Sequence, residues 1–195
     1  MSYRIFFGLK PMHYNSELMT PIVSIVGKSN SGKTSLLEKL IPALRRRGYR
    51  VGTIKHHAQP DFEIDYPGKD TWRHYEAGAE AVLISAPGKM ALIERSPAEV
   101  PQVIALARRI KDVDLILTEG FKSDTTPKIE VVRAARSQAP VCAVEDLIAL
   151  VTDIPFDFAL PCFGLDDVEP LADFIEKTFL AKNNNNSPDT LTSGL

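Results

Sequence analysis

The sequence predicts a three-layer α/β fold, with a largely parallel central sheet flanked by helices. Three observations lead there. Short apolar runs and amphipathic segments alternate along the chain, the order that successive βαβ units require. The first run, Ile22-Val23-Ser24-Ile25-Val26, feeds directly into Gly27-Lys28-Ser29-Asn30-Ser31-Gly32-Lys33-Thr34, which fits the pattern G-x-x-x-x-G-K-[ST]. A later run, Leu115-Ile116-Leu117-Thr118-Glu119-Gly120, ends in an acid and a glycine, the second element that a phosphate site needs, so the expected fold is that of a P-loop NTPase.

Taken in order, residues 1–20 show no convincing period and read as an N-terminal extension: a flexible arm, an added edge strand, or a start placed too early. The folded unit spans 21–182. An amphipathic helix from Lys33 to Arg47 follows the loop and stops at Gly48, with Arg45-Arg46-Arg47 in its last turn. Cations there complement the helix dipole, so a C-terminal cap is preferred to a binding patch. A short strand runs from Arg50 to Lys55, then a polar loop through Tyr66-Pro67-Gly68, then a helix from Lys69 to Gly78. Ala81–Ser85 and Met90–Glu94 flank Pro87-Gly88, which predicts one antiparallel hairpin near 81–94. Pro97 starts a helix ending near Arg109, and Val113 to Thr118 is a buried strand. Ile129–Arg133, Val141–Val144 and Leu147–Thr152 add strands or short helical turns, and a last amphipathic helix covers about Val168 to Ala181. Asn183-Asn184-Asn185-Asn186-Ser187-Pro188 opens a polar tail, 183–195, that is expected to be disordered.

The bulk properties set bounds. At 195 residues, 44 % hydrophobic and 25 % charged, the chain suits one soluble domain with a sizeable core. A net charge of -2 offers no basic surplus for nucleic acid. Cys142 and Cys162 lack C-x-x-C spacing, which argues against zinc and against a disulfide framework. No apolar stretch reaches membrane-span length, and Ile5-Phe6-Phe7 is too short for a signal core. The cytoplasm is the expected location.

Glycines let the loop curl so that its N–H groups face phosphate oxygens, and the helix behind it adds the positive end of its dipole. Lys33 then reaches the β- and γ-phosphates, and the Thr34 hydroxyl takes one position on Mg²⁺. Lys28 has two readings. It is either a solvated loop lysine or, by resemblance to the deviant P-loop of dimeric nucleotide switches related to nitrogenase iron protein and the septum-site ATPases, a cation lent to the partner subunit's phosphates. The second makes the protein a homodimer. Glu119 can hold a metal-bound water; as Glu rather than Asp, it suits indirect contact better than direct ligation. Gly120 leaves room for the γ-phosphate. The alternative for Glu119 is an exposed loop carboxylate.

Between these elements, Lys55-His56-His57 through Asp70 reads as a switch region. Asp65 is the first candidate to orient an attacking water, with Asp61 and Asp70 as rivals and a helix cap as the alternative for Asp70. His56 and His57 would need Asp61 or Glu63 to make a metal site, and polar switch contacts are preferred. The N-K-x-D motif of many GTPases is missing. Asp153 in Val151-Thr152-Asp153 is the nearest substitute for reading guanine N1 and N2, although a turn aspartate explains it equally well.

The ordered set G-K-S-N-S-G-K-T, V-G-T-I-K-H-H, D-Y-P-G-K-D-T-W-R-H-Y-E-A-G-A, D-L-I-L-T-E-G-F-K and P-K-I-E-V-V-R resembles the molybdopterin-guanine dinucleotide biosynthesis adaptor family, the B protein of that pathway. The likeness spans about 21–180. It implies a dimeric GTP-binding protein with weak Mg²⁺-dependent GTPase activity that assists the molybdenum cofactor guanylyltransferase, with molybdopterin itself as a further candidate ligand. By position, Gly27 to Ser35 would hold phosphates and Mg²⁺. Glu119 and Gly120 would sense the γ-phosphate, and Lys69–Arg73 with Phe121-Lys122 would handle cofactor or partner. Three rivals stand beside this reading. A small-molecule kinase would need an arginine-rich lid, for which Ala135-Arg136-Ser137-Gln138 is too short. A pure adaptor would use nucleotide only to set its shape. A metallochaperone for another metal would carry a histidine tract or paired cysteines, and the chain has neither.

Overall fold

Burial on both faces explains why the sheet strands read as continuous apolar runs rather than alternating ones. The computed structural model describes residues 20–57, 62–96, 102–157 and 159–181. The chain divides into two compact units. One comprises the chain up to His56 and from Val103 onward, and the other is His57–Gln102.

In the first unit the described strands are β1 (Ile22–Val26), β2 (Val51–Lys55), β5 (Leu115–Glu119), β6 (Lys128–Val132), β7 (Leu147–Thr152) and β8 (Cys162–Phe163). They form one sheet in the order β2-β5-β1-β6-β7-β8, and every neighbouring pair is parallel. Helix α1 (Lys33–Arg46) and helix α4 (Val168–Ile175) cover one face, burying Leu40, Leu44, Leu171 and Ile175 against Ile25, Leu117 and Ile129. Fully burying each such side chain contributes about 1.5–3 kcal/mol relative to leaving it exposed. On the opposite face, Val103 and Ala107 of α3 (Val103–Ala107) pack with Ile22, Ile116 and Phe121. This is the three-layer parallel architecture that the sequence predicts.

Local chemistry fixes the remaining geometry. The arginine run at the end of α1 does more than answer the dipole. Arg47 pairs with Glu169, Asp173 and Glu176 at 2.8, 2.6 and 2.9 Å, and Arg46 with Glu169 at 2.6 Å, tying α1 to α4 and the turn after it. At the other end of the sheet, Asp114 accepts from the Arg50 main-chain N–H at 2.7 Å and from its guanidinium at 2.9 and 3.2 Å. That clamp starts β2 and β5 in register, so Lys55 lies directly opposite Glu119 at their far ends.

The second unit holds α2 (Asp70–Glu76) and an antiparallel hairpin of β3 (Ala81–Ala86) and β4 (Lys89–Glu94), joined through Pro87-Gly88 as expected. The Arg95 guanidinium lies 4.4 Å from the Tyr75 ring centroid and donates to the Tyr75 and Ala79 carbonyls, fastening the end of β4 to α2. Leu83, Ile84, Met90 and Leu92 of the hairpin are 50–72 % exposed.

Several boundaries differ from expectation. Of the two forms expected for Val141–Val144, the helical turn is the one found, beginning only at Val144: the Glu130 carboxylate accepts from the Val141 and Cys142 N–H groups at 2.6 and 3.0 Å, holding a loop that enters a 3₁₀ turn at Val144–Asp146. The two-residue strand β8 is too short to carry a period. The last helix is α-helical to Ile175 and continues as a π-helical turn, Glu176–Leu180. The helix expected from Pro97 is described only from Val103, since 97–101 lie outside the described residues. The readings of 1–19 and of the 183–195 tail also lie outside them, as does Asp61.

Candidate functional site

Parallel strands end together, so the loops that follow β1, β2 and β5 meet at one edge of the sheet. The first of these loops turns at Gly27. Its φ is 141°, and a Cβ there would stand 2.5 Å from the Val131 carbonyl oxygen of β6 and 2.9 Å from Ser31 Oγ. Only glycine lets the loop lie this close to the neighbouring strand. Lys28, Ser29 and Asn30 are exposed, with Asn30 at φ 58°; Ser31 is buried, and Gly32 precedes α1.

Two features make the loop a seat for an anion. The N-terminus of α1 carries no side-chain cap and no acid in its first turn, so its free N–H groups and dipole face the loop unopposed. Ser31 Oγ is the one buried side-chain polar atom among the described residues that lacks a hydrogen-bond partner. Native structures rarely leave such a group unsatisfied, and a phosphate oxygen is a suitable acceptor. Lys33 arches back over the loop, donating to the Lys28 carbonyl at 2.8 Å and the Gly27 carbonyl at 3.3 Å. Burial pulls its ammonium below the usual lysine value. Glu119 opposes that pull, while Lys122 and Lys55 reinforce it. The site therefore gathers more than one cation near the point where negative charge would rest.

The acid at the end of β5 meets the first turn of α1. Thr34 Oγ1 donates to both Glu119 carboxylate oxygens, at 3.0 and 3.1 Å. A hydroxyl and a carboxylate are hard oxygen donors of the kind Mg²⁺ selects, and a nucleotide site needs only one or two protein ligands for it. Ser35 is exposed on the next position of α1. A cavity of about 210 Å³ lies beside the pair, lined by Thr34, Leu37, Ile41, Ile54, Lys55 and Glu119 among others. At Gly120 the chain turns with φ 104°, and a Cβ would come within 3.0 Å of the His56 Cβ. Phe121 follows at φ 58°, its ring centroid 5.3 Å from that of His56.

The other expected residues lie elsewhere. Asp65 belongs to the second unit, where its carboxylate accepts from the Thr71 hydroxyl and the Tyr66 N–H; these bonds hold it below the ordinary carboxylate value. Asp70 is the first residue of α2 rather than its cap, which is Lys69. Asp153 accepts from the Ala134 N–H at 2.7 Å, joining the loop after β7 to the one after β6. The His57 ring stacks on Phe62, centroids 4.5 Å apart. Among the described residues no three His, Cys, Asp or Glu side chains converge as a metal-holding group. Sequence reasoning did not pair Lys55 with Glu119, and it gave Glu130 no role. An acid inside the apolar run Ile129-Glu130-Val131 was the available signal for the second.

A parallel sheet, a glycine-framed loop between its central strand and α1, and an acid at the end of the adjacent strand define an α/β protein of the P-loop class. Residues 22–153 match the family model described as MobB, molybdopterin guanine dinucleotide synthesis protein B, and the chain belongs to that family. It is 36 % identical over 170 residues to the molybdopterin-guanine dinucleotide biosynthesis adapter protein of Escherichia coli strain K12, covering 85 % of this chain and 97 % of that one. The Haemophilus influenzae adapter protein is 36 % identical, with 80 % and 88 % covered. Among solved structures, a crystal structure of molybdopterin-guanine biosynthesis protein B superposes with a TM-score of 0.63 at 35 % identity, covering 80 % of this chain and 98 % of that one. Bacillus subtilis MobB gives 0.63 at 27 % identity, with 80 % and 96 % covered.

Proposed function

We propose that this protein is an adapter of molybdopterin-guanine dinucleotide biosynthesis that binds GTP with Mg²⁺ and hydrolyses it slowly. In this reading it acts as a cytoplasmic homodimer beside the guanylyltransferase of the pathway. The carrying observation is the loop itself: an orphaned Ser31 hydroxyl, a lysine folded over the curl, and an uncapped helix N-terminus, all within reach of the Thr34–Glu119 pair. The names of the relatives support the pathway.

Each residue then has a task. Main-chain N–H groups of the loop and Ser31 Oγ bind phosphate oxygens, and the Lys33 ammonium leaves its two carbonyls to take the β- and γ-phosphates. Thr34 and Glu119 hold Mg²⁺, which when bound neutralises charge on the phosphate oxygens. Gly120 gives the terminal phosphate space. Asp153, which accepts from the Ala134 N–H through Oδ1, is the proposed group for reading the base. Lys28, exposed at the loop tip, is suited to reach a partner subunit, and the apolar hairpin supports a second copy as that partner.

Calorimetry with GTP, GDP and ATP tests the reading. Parent protein is expected to bind GTP, and Lys33→Ala to lose that binding by a hundredfold or more, because a desolvated phosphate charge loses its cation (about 3 kcal/mol or more). Equal affinity in parent and variant would overturn the site. A pull-down of guanylyltransferase that depends on GTP tests the adapter role, and retention unaffected by nucleotide would remove GTP from it.

A further inference from the structure

Lys55 sits where the two phosphate-site elements meet, and neither element explains it. It is the last residue of β2, and the parallel register sets it opposite Glu119, the last residue of β5. Its Nζ lies 3.5 Å from Glu119 Oε1. The same oxygen accepts from Thr34 Oγ1 at 3.0 Å. Glu119 is only 15 % exposed, whereas Lys55 is 61 % exposed and approaches it from the open side, at the wall of the 210 Å³ cavity. The carboxylate thus answers to a hydroxyl on one side and an ammonium on the other. A divalent cation bound to Thr34 and Glu119 would need the carboxylate charge that Lys55 now compensates, and would face the ammonium as a like charge.

We propose that Lys55 competes with Mg²⁺ for Glu119, and so sets the Mg²⁺ concentration at which the nucleotide site is completed. This rests on the nucleotide reading above. The ammonium acts as a built-in counter-charge that keeps the partly buried carboxylate and the Thr34 hydroxyl in place, then gives way to the metal. Its position comes from strand register and not from a flexible reach, because β2 is clamped to β5 at the opposite end by Asp114 and Arg50.

The test is the affinity for a methylanthraniloyl-labelled GDP, read by fluorescence at stepped free Mg²⁺, for parent, Lys55→Met and Lys55→Arg. Removing the charge while keeping the side chain's length is expected to move the half-point of the Mg²⁺ dependence to lower concentration by about threefold to tenfold, the range for a charge pair between exposed and buried. The arginine variant is expected to stay near the parent. An unchanged half-point for Lys55→Met overturns the competition. A half-point moved to higher Mg²⁺ also overturns it, and marks Lys55 as a phosphate ligand instead. If the parent binds no labelled GDP at any Mg²⁺, the nucleotide reading fails and this inference with it; binding that is Mg²⁺-dependent but indifferent to Lys55→Met sinks the inference alone.

Discussion

Asp114 shows how one side chain sets geometry at a distance. Its carboxylate takes the Arg50 N–H and guanidinium at the start of β2, and that register brings Lys55 to Glu119 five residues later. The Arg50 bond is the largest cause that holds the Asp114 carboxyl below the usual value, with burial opposing it. A depressed carboxylate contributes stability above the unfolded value, about 3.9, and loses it as pH falls through the folded one. Asp114→Asn is therefore expected to be less stable than the parent at pH 7, by about 1 kcal/mol or less once solvent screening of the exposed guanidinium is counted. The gap should narrow as pH drops below about 4. Urea midpoints at pH 7, 4 and 3 check this, and a gap at pH 3 as wide as at pH 7 would show that the charge is irrelevant to the clamp.

At the level of elements, the legible parts were those with long local signals. Strand β1, the loop and α1 share one motif and one period, and β5 ends in an acid where such a loop needs it. Glu119 was visible for that reason. Lys55 as its partner was not, because the contact depends on β2 lying beside β5, an order with two helices and a hairpin between them in sequence. The same limit applies to Glu130. On β6 its buried carboxylate catches two successive N–H groups eleven and twelve residues later, which decides between strand and helical turn by anchoring a loop that leads into the 3₁₀ turn. Glu130→Ala leaves both donors without that acceptor inside the protein. The expected loss is about 2–5 kcal/mol by urea unfolding, with Glu130→Gln losing less because its amide oxygen still accepts one of them. Cys142, whose thiol is pushed up mainly by burial, gives an independent readout. Its labelling by a disulfide reagent should accelerate in the alanine variant, and unchanged labelling would mean that the loop is held by something other than Glu130.

On the scale of the whole molecule, the hairpin presents an apolar surface that the described residues of the second unit leave exposed. Leu83 pairs across the strands with Leu92, and Ser85 with Met90, so Leu83, Met90 and Leu92 share one face of a two-stranded sheet. All three are more than half exposed. A hairpin of two strands is marginal in water unless that face is packed, and exposed contiguous apolar surface marks a contact. If a second copy of the chain is the partner, as proposed above, it also gives Lys28 a role, because the lysine at the loop tip would then stabilise charge on another subunit's phosphates. The two observations can be tested together. Leu92→Lys places an unpaired charge in the shared face and is expected to convert the protein to a monomer by light scattering, while the folded signal by circular dichroism is kept. If the same interface delivers Lys28, that monomer should bind GTP like the parent yet hydrolyse it as slowly as Lys28→Ala, and the double variant should be no slower than either one. A monomer with undiminished turnover would separate the hairpin contact from catalysis and return Lys28 to the role of a solvated loop residue.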